Sequence, residues 1–251
     1  MRPTVEPPAG HAGRVAVVTG ASRGLGAGMA SRFAAAGLRL GLAARTAPEP
    51  PAGAEALSAS VDVTDAGAVD RFAAAVVERF GSIDLWVNNA GVLTPIAPLR
   101  EADPAELATN VEVNVLGVMY GSAAFARHVR GRTGGGVLVN ISSGAATTPY
   151  EGWAAYCAAK AAVDQLTRVV AAEEADAGLR AHAVAPGVVD TDMQALIRAS
   201  TEERFPAVER FRAMARDAAF NSPAWVADQV LRLLDGDPGT VVLRIPDEPR
   251  P

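Results

Sequence analysis

Residues 14–19 (RVAVVT) are apolar and mostly β-branched, and a segment with three glycines, residues 20–26 (GASRGLG), follows at once. Such a run suits a strand buried on both faces of a parallel sheet. Glycine lets the backbone turn sharply there and come close to a ligand or a neighbouring strand. An Ala-rich helical stretch then continues to about Ala36 and stops at Gly37. Strand, glycine turn and helix in immediate succession commit the chain to βαβ units. The pattern repeats. Further strands are expected at Leu38–Ala44, Ala59–Val63, Ile83–Val87, Val137–Ile141, Arg180–Val184 and Thr240–Ile245. Helices are expected at Ala66–Phe80, through most of Pro104–Arg130, and at Trp153–Ala175, Gln194–Arg216 and Ala224–Leu234. No Pro/Gly-rich linker divides them. The fold class is therefore α/β: a single doubly wound parallel sheet with helices on both faces, spanning residues 14–251. Residues 1–13 are Pro-rich, lack an apolar signal core, and are expected to be a flexible leader.

In such a sheet ligands gather at the carboxyl ends of the strands, where strand order reverses. The loop of Gly20, Ser22, Arg23, Gly24, Leu25 and Gly26 sits at such an end. The helix it opens offers free N–H groups and a positive dipole end to a pyrophosphate. Its spacing is G-x3-G-x-G. Asp62-Val63, Asn89-Ala90-Gly91, Ser143, Tyr156-x3-Lys160 and Pro186-Gly187 each follow a strand or open a helix. Together these motifs resemble the short-chain dehydrogenase/reductase family, over about residues 14–234. The resemblance implies a Rossmann-type fold, a nicotinamide dinucleotide and oxidoreductase activity. It also implies that Asp62 and Val63 hold the adenine, that Asn89, Ala90 and Gly91 line the cofactor, and that Pro186, Gly187, Val189, Thr191 and Met193 face it.

Charge selects between the two cofactors. An acid at the end of the second strand would bond a ribose 2′-OH and repel a 2′-phosphate. This chain has Arg45-Thr46 there and Arg23 in the glycine loop. Two planar guanidinium groups suit a phosphate dianion, so NADP(H) is expected.

Tyr156 and Lys160 stand four apart on a helix and share a face. A free tyrosine has a pKa of about 10 and is a slow acid at neutrality. An ammonium about 4 Å away, at an effective dielectric of about 20, would lower it by roughly three units. Lys160 is the only lysine among 23 basic residues, so arginine supplies charge everywhere else. A compact ammonium is not replaceable by a broad guanidinium here. By resemblance, Tyr156 protonates the substrate carbonyl oxygen and Ser143, 13 residues upstream, polarises it. Lys160 bonds the nicotinamide ribose, and Asn114 on the long preceding helix holds a relay water. Cys157 is read as a packing residue.

Ser142–Lys160 and Ala185–Leu196 are similar to the sepiapterin reductase and benzil reductase branch. Tyr150, Trp153, Met193 and Leu196, with Ser143, are expected to wall the substrate. Sepiapterin reductases anchor the pterin with an Asp in the last strand, whereas Leu243, Arg244 and then Asp247 stand nearest here. The expected function is thus an NADPH-dependent carbonyl reductase for an apolar or aromatic ketone or 1,2-dicarbonyl. A pteridine reductase and a non-catalytic NADP-binding regulator are the alternatives. The formal charge of −5 argues against nucleic acid or anionic membrane as partners. One Cys and three His argue against a metal site. A cytoplasmic homodimer is expected, with a tetramer as the alternative, assembled through the helices of 104–130 and 153–175.

Overall fold

The computed structural model describes residues 10–249. Seven strands, β1 (Val15–Thr19), β2 (Arg39–Ala44), β3 (Ala56–Ser60), β4 (Leu85–Asn88), β5 (Gly136–Ile141), β6 (Leu179–Ala185) and β7 (Val242–Arg244), form one sheet. Their order is 3-2-1-4-5-6-7, and every pairing is parallel. Strand order reverses between β1 and β4, so the carboxyl ends of these two strands flank the ligand crevice. Eight α-helices cover the sheet: α1 (Gly24–Ala35), α2 (Ala66–Phe80), α3 (Pro104–Val111), α4 (Gly117–Arg130), α5 (Ala154–Glu173), α6 (Asp192–Arg198), α7 (Val208–Arg216) and α8 (Pro223–Asp235). The doubly wound α/β class expected from the sequence is what the chain adopts.

Both faces of the sheet are buried. Phe33, Met29, Val230 and Leu231 of α1 and α8 pack on one face. Phe72, Val76, Phe125 and Trp86 pack on the other. Complete burial of a side chain such as Phe33 or Leu231 stabilises the fold by about 1.5–3 kcal/mol. One buried polar network crosses the sheet. Trp86 Nε1 donates to Asn88 Oδ1 at 2.8 Å, Asn88 Nδ2 to Asn140 Oδ1 at 2.8 Å, and Asn140 Nδ2 to Thr167 Oγ1 at 3.0 Å. This chain ties β4, β5 and α5 together just beneath the crevice.

Three local expectations need correction. The third strand is Ala56–Ser60, not Ala59–Val63, because pairing with β2 sets Leu40 opposite Ala56 and Ala44 opposite Ser60. The helical stretch 194–216 is two helices. The turn between them buries Phe205 completely, and Pro206 follows it. Pro104–Arg130 is helical as expected, with a π-helical turn at Glu112–Leu116. Residues 11–13, expected within a flexible leader, are ordered against the domain. His11 is buried and Gly13 N donates to Gly37 O at 3.1 Å, which anchors 11–13 to the domain. Residues 1–9 of that leader lie outside the described residues.

Candidate active site

The glycine loop closes tightly on the ends of β1 and β4. Gly20 has φ +66°, and a Cβ there would meet Ala90 Cα at 2.8 Å. A Cβ on Gly26 would lie 2.3 Å from Gly20 O. Asn89 fixes the loop: its Nδ2 donates to Thr19 O at 2.9 Å and Gly20 O at 3.2 Å. Thr19 Oγ1 accepts from Asn89 N at 3.0 Å in return. Arg23 precedes α1 and no side chain caps that helix, so its first N–H groups stay open to an anion.

The loop forms one end of a cleft of about 880 Å³. Every residue expected to hold cofactor or substrate lines this cleft, with Asn114 the exception. At one end Arg45, Thr46, Asp62 and Val63 gather. Asp62 accepts from Thr64 N at 2.9 Å and Thr64 Oγ1 at 2.8 Å. These bonds, and then the Arg45 guanidinium, hold its carboxyl below the usual value. Arg45 is exposed, and no hydrogen bond or ion pair fixes its guanidinium among the described residues. Arg23 reaches across the mouth to Asp192 at the start of α6, with Nη1–Oδ2 of 3.1 Å. The open helix end, the close-packed glycines and the unpaired Arg45 fit a nicotinamide dinucleotide.

Ser143, Tyr156 and Lys160 share the opposite wall. Ser143 follows β5, and its Oγ accepts from Ala145 N at 3.1 Å. Tyr156 and Lys160 lie on the buried face of α5, with Lys160 Nζ 5.5 Å from the Tyr156 ring centroid. Lys160 Nζ donates to Ile141 O at 2.8 Å. Their acidities differ from the expectation of a lowered phenol. Burial pushes Tyr156 up to about 12, opposed in part by its hydrogen bond with Ser143. Burial brings Lys160 down to about 8, opposed in part by the Asp164 charge. Desolvation therefore dominates both groups, and the ammonium turns to the Ile141 carbonyl.

Asn114 lies in the π turn, fully buried behind Gly91 and Val92. Its Oδ1 accepts from Val92 N at 3.0 Å, and its Nδ2 donates to Val92 O at 2.7 Å and Asn110 Oδ1 at 2.9 Å. Asn110 Nδ2 in turn donates to Thr94 O at 2.7 Å. The side chain thus clasps the loop after β4. The partner Asn110 was not singled out from the sequence, although its i−4 spacing from Asn114 was readable.

The far end of the cleft is aromatic. Trp153 stacks on Phe205 with centroids 4.4 Å apart and planes 5° from parallel. Tyr150 lies 4.9 Å from Trp153, and Phe211 5.4 Å. Phe211, Met214 and Arg210 of α7 line this end beside the expected Met193 and Leu196. Phe205 and Phe211 were invisible in advance, since nothing in a polar helical stretch marks which ring turns inwards. Arg244 of β7 also lines the cleft, whereas Asp247 does not. Among the described residues no cluster of His, Cys, Asp or Glu could hold a metal. No described helix is long and apolar enough to cross a membrane.

The sequence profile of the short chain dehydrogenase family matches residues 14–202. A benzil reductase ((S)-benzoin forming) of Bacillus subtilis is 39% identical over 160 residues, 63% of this chain and 65% of that enzyme. The chain thus spans just under two thirds of that relative. The 2-(R)-hydroxypropyl-CoM dehydrogenase of Xanthobacter autotrophicus is 38% identical over 243 residues, 91% of this chain and 94% of that one. Among solved structures, the KRED1-Pglu enzyme superposes with a TM-score of 0.84 at 33% identity, covering 92% of this chain and 100% of that one. With profile, relatives and fold in agreement, this chain belongs to the short-chain dehydrogenase/reductase family of nicotinamide-dependent oxidoreductases, on the side where the benzil reductases lie.

Proposed function

We propose that the chain is an NADPH-dependent reductase of apolar or aromatic ketones and 1,2-dicarbonyls. The observation that carries this reading is the convergence of Ser143, Tyr156 and Lys160 on a cleft whose far end is built from Tyr150, Trp153 and Phe211. A bound nicotinamide supplies the hydride. Ser143 orients and polarises the carbonyl oxygen. Tyr156, kept protonated through neutral pH by burial, donates its proton to that oxygen. Lys160 places a positive charge beside the phenolate that is left. Asn114 acts through the loop, holding residues 91–92 against this group. Arg45, with Arg23 in reserve, supports a 2′-phosphate over a bare ribose.

Aromatic walls favour flat apolar substrates, which bury large area at low entropic cost. Arg244 in place of an acid in the last strand argues against pterin binding. The outer faces of α4 and α5 leave Met119 and Val169 exposed at 38% and 42%, which supports pairing of two copies there. The test is loss of NADPH absorbance with benzil, other aromatic diketones, monoketones and sepiapterin. Reduction of the aromatic dicarbonyls is expected; a silent panel, or turnover of sepiapterin alone, would sink the reading.

A further inference from the structure

Asp164 lies on α5, one turn beyond Lys160, and is only 6% exposed. A carboxylate is rarely so buried without a partner of matching chemistry. Its Oδ1 accepts from the Ser142 hydroxyl at 2.5 Å. Ser142 is itself buried and directly precedes Ser143. Lys160 is 4% exposed and gives its ammonium to a neutral acceptor, Ile141 O. Its charge therefore needs an anion nearby, and the i, i+4 spacing puts Asp164 on the same helix face. Other charged or titratable groups stand on the elements against α5: Glu106 of α3, Glu112 of the π turn, Tyr120, Arg127, His128 and Arg130 of α4, Asp176 of the turn after α5, Arg180 and His182 of β6, and Arg244 of β7. Tyr156, Cys157, Arg168 and Glu173 stand on α5 itself. The Asp164 charge favours the Lys160 ammonium, across a separation longer than the 4.0 Å of a direct ion pair.

We propose that Asp164 is the buried counter-ion of Lys160 and, through Ser142, ties that lysine to the strand end carrying Ser143. One carboxylate then sets both the charge of the ammonium and the placing of the hydroxyl. Asp164 is a positioning residue, touching neither substrate nor cofactor. Its part in turnover rests on the catalytic reading above; its effect on Lys160 does not.

Because Lys160 is the only lysine, protein labelled with 13C at lysine Cε gives one side-chain signal, and its titration reads this group alone. In Asp164→Asn that titration is expected to move down by roughly 1–2 pH units, as for a unit charge removed one helical turn away. The alkaline limb of kcat moves with it, while Ser142 keeps a hydrogen-bond partner. An unmoved lysine titration would overturn the proposal, whatever the activity. Should Asp164→Asn fail to fold, the same change is made in Lys160→Met. A double variant that folds assigns the failure to an unpaired ammonium and supports the proposal. A double variant that also fails makes Asp164 a packing residue and overturns it. A silent substrate panel, by contrast, would sink the reductase reading and leave the lysine titration intact.

Discussion

Gly91 is a position where one added methyl should reach the catalytic group directly. Its backbone is not in the left-handed region, so alanine brings no conformational strain there. The added methyl would instead stand 2.9 Å from Asn114 Oδ1 and 3.9 Å from Lys160 Nζ. Carbon contacts are favourable at about 3.5–4.0 Å, so the amide oxygen must retreat by about half an ångström. It is not free to do so, since bonds of 3.0, 2.7 and 2.9 Å hold the amide. Giving up one of them strands a buried polar atom, at a cost of about 1–3 kcal/mol. For a chain of this length that is roughly 2–10 °C in Tm. Catalytic geometry tolerates little displacement, so Gly91→Ala should also lose about 10-fold or more in kcat. The assay is a melting curve and NADPH oxidation for Gly91→Ala, Asn114→Ala and the double variant. With the amide gone the methyl has room, so the double variant should be no less stable than Asn114→Ala. Full stability and turnover in Gly91→Ala, or strictly additive losses, would refute the clash.

Three other outcomes follow from the same structure. Arg45→Asp should move cofactor preference towards NAD, by roughly 10-fold or more in the ratio of kcat/KM values, through loss of a charge-assisted bond and added repulsion; an unchanged ratio removes Arg45 from cofactor choice. Tyr156 stays protonated to about pH 12, so the alkaline limb of reduction belongs to Lys160. Activity needing the ammonium should be full below that group's pKa and fall as pH rises through about 8; a flat profile to pH 10 contradicts this. Light scattering should give twice the chain mass, and a monomer would remove the α4–α5 pairing.

The sequence was most readable where local rules and tertiary needs coincide. A β-branched run, a glycine turn and a helix leave one arrangement open, and β1, the loop and α1 stand where expected. Tyr156 and Lys160 share a helix face because four residues make about one turn. Legibility failed where long-range partners decide. The edge strand β3 has no fully buried side chain, so its register comes from β2 and not from its own pattern. Phe205 turns inwards because Trp153 waits there, 52 residues earlier in the chain. The acidity of Tyr156 was misjudged for a similar reason. Spacing puts two groups on one face but says nothing of the burial that governs their acidity. Asp164 repeats the i, i+4 rule that exposed Lys160, yet only its burial and its bond to Ser142 separate it from a surface acid.

The central claim is that Tyr156 delivers a proton to a carbonyl reduced with NADPH. The most direct measurement compares wild type with Tyr156→Phe, following benzil reduction and NADPH binding on the same preparations. The account predicts turnover in wild type, its loss by roughly 100-fold or more in the phenylalanine variant, and nearly unchanged NADPH affinity. Turnover that survives the substitution would contradict it.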